Sequence, residues 1–508
     1  MKMNPLHLFQ GGYKYNTKAK GKVINYMMNK SYIIGIDNGS QSTKIIIFDM
    51  EGNEVAFGSC PLRDPLTPEP GVVVHPDDDL WDSVYTAMEN CLDNFEGDPK
   101  DIKGIGLCSI RSCRVLLKED GSLAHPVISW MDVRLSEAYK HEDDQVSYVT
   151  TTSGYLGLKL TGEFNDTAGN YEVSYWPLDR TTLDWTEDDT VIEANGLRRD
   201  MLFNLVKPGE KLGSIRKELA NHFGLKEGIP VVATANDKAV EVLGSGIKEE
   251  NSCMISLGTF ISSMILREKD YESANNFFPT LSAIPFKYVY ESSGIRRGMW
   301  TVSWFKKLIG EELVKNASNS GLSEEEFLNQ KAEEVPVGSD GLITILDWLT
   351  SPDTPYRKGL MIGFDERHTK YHIYRSILEA IAFNIKNNID EMLNEIESEI
   401  NEVVVTGGGA KSDVIMQIIS DLFGLPVHRR KGNSSACLGA AISVCNYLDI
   451  YRDFSEAIDN MVETDATFTP DANNHAFYNE INNNVVKHVR TYTDEILKLS
   501  YPIFNREE

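Results

Sequence analysis

The apolar run Tyr32-Ile33-Ile34-Gly35-Ile36 is followed, across Asp37-Asn38-Gly39-Ser40-Gln41-Ser42-Thr43-Lys44, by a second apolar run, Ile45-Ile46-Ile47-Phe48. Two short β-branched runs so close together, with a glycine in the polar stretch between them, specify strand, tight turn and returning strand. The turn also restricts the chemistry. Gly39 lets backbone N–H groups approach an anion, Ser42 and Thr43 offer hydroxyl donors, Lys44 adds positive charge, and Asp37 can hold a metal ion. A hairpin tip of this composition suits phosphate, and so points to a nucleotide.

A chain of 508 residues is too long for one hydrophobic core, so two or more large domains are expected. The net charge of -26 argues against nucleic acid or an anionic membrane surface as a partner. It leaves a nucleotide open, because a local lysine and a metal ion can overcome the global field. The seven cysteines are odd in number and contain no Cys-x-x-Cys pair. A disulfide framework or zinc site is therefore not expected, and a reducing cytoplasm is. No apolar run is long enough to span a bilayer. Residues 1–27 are polar and lysine-bearing without an apolar signal core, and read as a disordered extension or the product of an upstream start codon.

Along the first half, Asp49 to Asn53 forms a second turn and Val55 to Phe57 a third strand. Ile102 to Ser109 and Gly228 to Ala233 read as further strands, the latter running into Asn236-Asp237 and a helix through Ala239, Val240 and Leu243. The second half starts again in the same way: Cys253 to Leu257, the turn Gly258-Thr259, and a return strand from Phe260 to Leu266. This echo reads as an internal duplication. Ile373, Ile377, Ile381, Ile385, Ile389 and Leu393 recur every fourth residue and predict a buried helix from His368 to about Leu393. Val403 to Thr406 is a strand, Gly407-Gly408-Gly409 a loop, and Ser412 onward a helix ending at Gly424, which together form a place for ribose or phosphate. The chain is thus an α/β protein with domains at 28–247 and 248–485 and a tail at 486–508. Asp237, between a buried strand and a helix, is either a helix cap or a base aimed into a cleft.

These motifs, in this order from about Ser31 to about Ile450, resemble the FGGY carbohydrate kinases, which include xylulokinase, glycerol kinase and ribulokinase. The opening Asp37 hairpin is close to that family's first phosphate motif. Pro126 to Arg134 resembles its sugar-pocket segment, Leu160-Thr161-Gly162-Glu163-Phe164 a family hallmark, and Ala235-Asn236-Asp237 its general-base segment. Leu257-Gly258-Thr259, Gly407 to Asp413 and Leu438-Gly439-Ala440-Ala441 match its nucleotide side. The resemblance implies two duplicated actin-like, RNase H-like domains closing on a cleft, with ATP and Mg2+ mainly on the second and sugar mainly on the first. It implies a possible homodimer. It places Asp37, Gly39, Ser42, Thr43, Lys44, Gly258 and Thr259 at the phosphates, Gly408, Gly409 and Asp413 near the adenosine, and the metal by Asp37 and Asp237. Asp237 becomes the base, and Arg111, Ser112, Trp130, Asp132 and Lys238 the substrate side, with a ketopentose such as xylulose as the nearest acceptor. The alternatives are a kinase of another polyol or a sugar acid, or a non-catalytic sensor on the same fold.

Two departures bear on the acceptor. Ile110-Arg111-Ser112 stands where xylulokinases carry Gln-Met-His, and residues 135–159 are a shortened version of the segment that covers the sugar. An arginine here offers several donors to hydroxyls or to a carboxylate.

Overall fold

Isoleucines on both faces of β1 (Tyr32–Asn38) make it a strand that must be covered on both sides, and it lies mid-sheet with nearly every side chain buried. The computed structural model describes residues 31–171, 176–271, 273–351 and 353–505; the extension expected at 1–27 lies outside them. β1 pairs antiparallel with β2 (Ser42–Asp49), setting Asp37 opposite Lys44 and Asn38 opposite Thr43. β2 continues antiparallel into β3 (Glu54–Pro61). Helix α1 (Asp79–Asp93) covers this meander, with Leu80, Val84 and Ala87 buried. On the other side of β1, β4 (Ile102–Ser109) and then β6 (Pro230–Asn236) run parallel to it. β5 (Lys211–Ser214) forms the edge, so the order is β5-β6-β4-β1-β2-β3.

Helix α2 (Asp237–Gly244) leaves β6 directly, and the chain then builds a second sheet. Its strands are β7 (Ser252–Leu257), β8 (Ile261–Arg267), β9 (Phe277–Leu281), β10 (Tyr288–Ser292), β11 (Glu402–Thr406), β12 (Val427–Arg430) and β13 (Thr464–Phe468). Their order is β9-β10-β8-β7-β11-β12-β13. The five central strands repeat the first sheet: β10-β8-β7 pair antiparallel like β3-β2-β1, with β9 added outside β10, and β11 and β12 are parallel to β7 as β4 and β6 are to β1. The echo expected from two hairpins therefore extends to a whole five-strand topology. Helices α3 (Gly298–Ile309), α4 (Lys370–Glu395) and α5 (Asp413–Phe423) cover the second sheet. The long helix is capped by Thr369, whose hydroxyl accepts from a backbone amide.

Helix α6 (Ser435–Tyr447) belongs to the second half in sequence but packs with α2 between the two sheets. One core cluster contains Ile33, Ile46 and Val232 from the first sheet, Met254, Met264 and Val404 from the second, and residues of both helices. The helices cross where a Cβ on Gly244 would overlap the Ser435 carbonyl, and one on Gly439 the Val240 carbonyl. Only glycine admits this backbone-to-backbone contact. The stretch expected as a tail is helical from Lys487 to Phe504 (α7), and Asp494 on it pairs with Arg357 at 2.7 Å. Among the described residues no helix is long and apolar enough to cross a membrane.

Candidate active site

Parallel strands gather their C-terminal ends at one edge of a sheet. β1, β4 and β6 thus bring Asp37, Arg111 and Asp237 together, while β7 and β11 deliver Gly258 and Gly407 from the other half. Crowding tells on the first carboxylate. Burial pushes the Asp37 carboxyl up to about 6; Lys44, its cross-strand partner, draws it down, and Asp237 and Glu241 push it up again. The hydroxyl of Ser434, at the start of α6, donates to Asp37 at 3.4 Å.

Asp237 is the first residue of α2, and capping falls to its neighbour. The Asn236 side chain accepts from the Ala239 amide at 3.0 Å and donates to Thr280 of the second sheet at 3.1 Å. Asp237 is left at the helix N-terminus, where its carboxylate accepts the adjacent Lys238 amide at 3.0 Å. Burial raises its carboxyl above the ordinary range, against the pull of Arg111 and Lys238.

Several side chains expected at the site are used elsewhere. Thr43 is buried: strand alternation turns it inward, where its hydroxyl meets Ser83 at 2.6 Å and Asn38 at 2.8 Å, while Ser42 and Lys44 take the opposite face. Asp132 is buried and holds a turn, accepting from the amides of Val73 and Arg134 and from the Arg134 guanidinium at 2.7 to 2.9 Å. Lys238 faces the second sheet: its ammonium lies 2.9 Å from Glu241 and 3.2 Å from Ser256. Ser112 takes a left-handed backbone conformation, with φ of 56°. Trp130 is 49% exposed.

On the nucleotide side, the amides of Gly298 and Met299, at the start of α3, donate to the carbonyls of Thr259 and Gly258, fixing that turn. Gly407 has φ of 83°, Gly408 is exposed with open space around it, and Gly409 packs on Leu257. Ser412 caps α5, and Asp413 is exposed and paired with Arg429 at 2.6 Å.

Two carboxylates escaped the sequence reading. Glu241 sits on α2 but accepts from Ser256 at 2.9 Å and Thr406 at 2.6 Å, at the ends of β7 and β11. Burial would raise it; Lys238 and the two hydroxyls reverse this and hold it below the ordinary glutamate range. Its spacing of three from Lys238 in a helix was the available signal. Glu291, on β10, lies 2.6 Å from the Arg111 guanidinium, so Arg111 spans the two halves. A lone acid in Tyr288–Ser292, a strand otherwise apolar or small, was the corresponding hint.

Residues 32–144 and 135–244 match the N-terminal domain of the FGGY family of carbohydrate kinases, and residues 253–445 match its C-terminal domain. The chain belongs to the FGGY family of carbohydrate kinases. It is 46% identical to the uncharacterized sugar kinase YgcE of Escherichia coli K12 over 482 residues, 94% of this chain and 97% of the relative. Its fold is that of a gluconate kinase from Lactobacillus acidophilus, at a TM-score of 0.77 and 19% identity, covering 91% of this chain and 98% of that one. A xylulose kinase from Rhodospirillum rubrum matches equally, with a TM-score of 0.77, 20% identity and coverage of 92% and 100%. The two repeated sheets are thus the two actin-like domains of a sugar kinase.

Among the described residues no group of three or more His, Cys, Asp or Glu side chains could hold a metal ion. That donor set is compatible with Mg2+, which commonly takes one or two carboxylates and draws its remaining ligands from phosphate oxygens and water. Asp37 and Asp237 would be the carboxylates to hold it.

Proposed function

We propose that this kinase transfers the γ-phosphoryl group of ATP to a hydroxyl of a small sugar or polyol, with Asp237 as general base. The observation that carries the reading is the freeing of Asp237 by its neighbour. Asn236 takes the cap, so a carboxylate stands at the mouth of a buried strand, beside Arg111 and within electrostatic reach of Asp37. A base in that position accepts the acceptor's proton as the new P–O bond forms.

Lys44 and the turns at Gly39, Gly258-Thr259 and Gly407–Gly409 approach the phosphates from both domains. The raised Asp37 must lose its proton to serve there, and the nearby Lys44 favours that loss. Mg2+ held by Asp37 would spread the charge that develops on the phosphoryl oxygens. Domain closure would exclude water and suppress idle hydrolysis of ATP. A ketopentose is the acceptor we favour within this class, and the free thiols suit a reducing compartment such as the cytoplasm.

The test is Asp237→Asn. Folding and ATP binding should be kept, while sugar-dependent ADP release falls by about 10²–10⁴-fold. Near-normal turnover on the best acceptor would remove Asp237 from the role of base.

A further inference from the structure

We propose that Glu291 is a specificity-determining residue that restricts this kinase to neutral acceptors and excludes sugar acids. The inference rests on the kinase reading above and narrows its substrate class. The fold alone cannot decide the point, since a gluconate kinase and a xylulose kinase match it to the same TM-score, 0.77.

Arg111 places a guanidinium beside the base. Such a group could recognise either a substrate carboxylate or a pair of hydroxyls. Here it already lies 2.6 Å from Glu291, with only 21% of the arginine side chain and 6% of the glutamate side chain exposed. Both groups of this ion pair have lost much of their hydration, so Glu291 and Arg111 each balance a charge the other keeps from water. The pair also borders the chemistry: Arg111 acts on the charge of Asp237, and Glu291 on that of Lys238. The Lys238 charge is itself matched by Glu241 at 2.9 Å.

The acceptor side therefore presents two carboxylates, Asp237 and Glu291, against one guanidinium that is already engaged. A sugar acid would bring a third negative charge beside a guanidinium whose own charge Glu291 already neutralises. A neutral polyol meets no such conflict. Its hydroxyls can accept from the guanidinium and donate to the carboxylate side by side. Phe278 supports the same reading. It is the direct cross-strand partner of Glu291, is 42% exposed, and its ring centre lies 6.0 Å from the guanidinium. Glu291, Arg111 and Phe278 thus combine polar recognition with an apolar surface for the C–H groups of a sugar.

The experiment is coupled ADP release on acceptors matched in length and configuration: ketopentoses and pentitols against pentonates, and hexitols against hexonates. For the wild type, kcat/KM for the neutral member should exceed that of the acid by about tenfold or more, as an uncompensated like charge costs more than 1.4 kcal/mol. Glu291→Gln should narrow that ratio about tenfold, chiefly by lowering KM for the acid. Arg111→Gln should lose neutral activity without gaining the acid. A wild type that prefers the acids overturns the proposal even if no variant folds. So does a Glu291→Gln enzyme with an unchanged ratio, or an Arg111→Gln enzyme that loses only the acids. ATP binding without stimulated ADP release by any acceptor would instead overturn the kinase reading, and this inference with it.

Discussion

Replacing Glu241 with leucine removes the carboxylate that ties α2 of the first domain to β7 and β11 of the second. Three groups lose a partner at once: Lys238 at 2.9 Å, Ser256 at 2.9 Å and Thr406 at 2.6 Å. Breaking one side of a largely buried ion pair costs about 3–5 kcal/mol, because the remaining charge stays desolvated. Each hydroxyl deprived of its acceptor adds about 1 kcal/mol, less whatever it regains by rotating to a new partner. A loss of about 3–7 kcal/mol is large beside a total stability of about 5–15 kcal/mol. A chain of 508 residues exposes more surface than a small protein, so its m-value exceeds the roughly 1–3 kcal/mol/M of small proteins and the urea midpoint should fall by about 0.5–1 M. The measurement belongs at pH 7. The Glu241 carboxyl is lowered on folding, so its contribution is fully present above the ordinary value of 4.5 and is lost only as pH falls through the lower folded value. Removing both charges in Lys238→Met/Glu241→Leu should recover most of the loss, since an apolar pair leaves no stranded charge. A single variant within about 0.5 kcal/mol of wild type, or a double variant no more stable than the single, would refute the reasoning.

Other expectations follow from the same contacts. The Asp37 carboxyl is raised on folding from 3.8 to about 6, so its ionisation weakens the nucleotide-free protein as pH rises through that window; Asp37→Asn should raise the melting temperature at pH 7, flatten its pH dependence between those values, and abolish turnover. Gly439→Val forces a side chain into the Val240 carbonyl, and should destabilise by about 3 kcal/mol or more, seen as a lower melting temperature. Thr43→Val should cost about 1–2 kcal/mol of stability through the lost bonds to Ser83 and Asn38 while leaving KM for ATP unchanged; a raised KM would return Thr43 to the phosphates.

How much of this was readable from the chain differs by residue. The Asp37 hairpin, its echo at Gly258-Thr259 and the long helix ahead of Glu395 are local patterns, decided by apolar periodicity and turn chemistry within a few residues. They carried the fold class and the expectation of a nucleotide. Thr43 was expected at the phosphates from turn composition and from the family resemblance, whereas strand alternation decides which neighbours share a face. Asp132 looked like a pocket residue by resemblance, yet its partner Val73 is distant in sequence, and no local pattern reveals that bond.

What the sequence determined by itself was therefore a duplicated α/β chain with two polar-tipped hairpins and a carboxylate at a strand end, because each depends on short-range periodicity, turn residues and order. Tertiary structure alone decided which charges meet. Arg111 and Glu291 lie 180 positions apart, and Glu241 and Thr406 165 apart, yet each pair is in contact. The reason is physical: α2 and α6 cross at glycines between two sheets, and that joint brings side chains of both domains to one cleft, where burial makes every charge seek a partner.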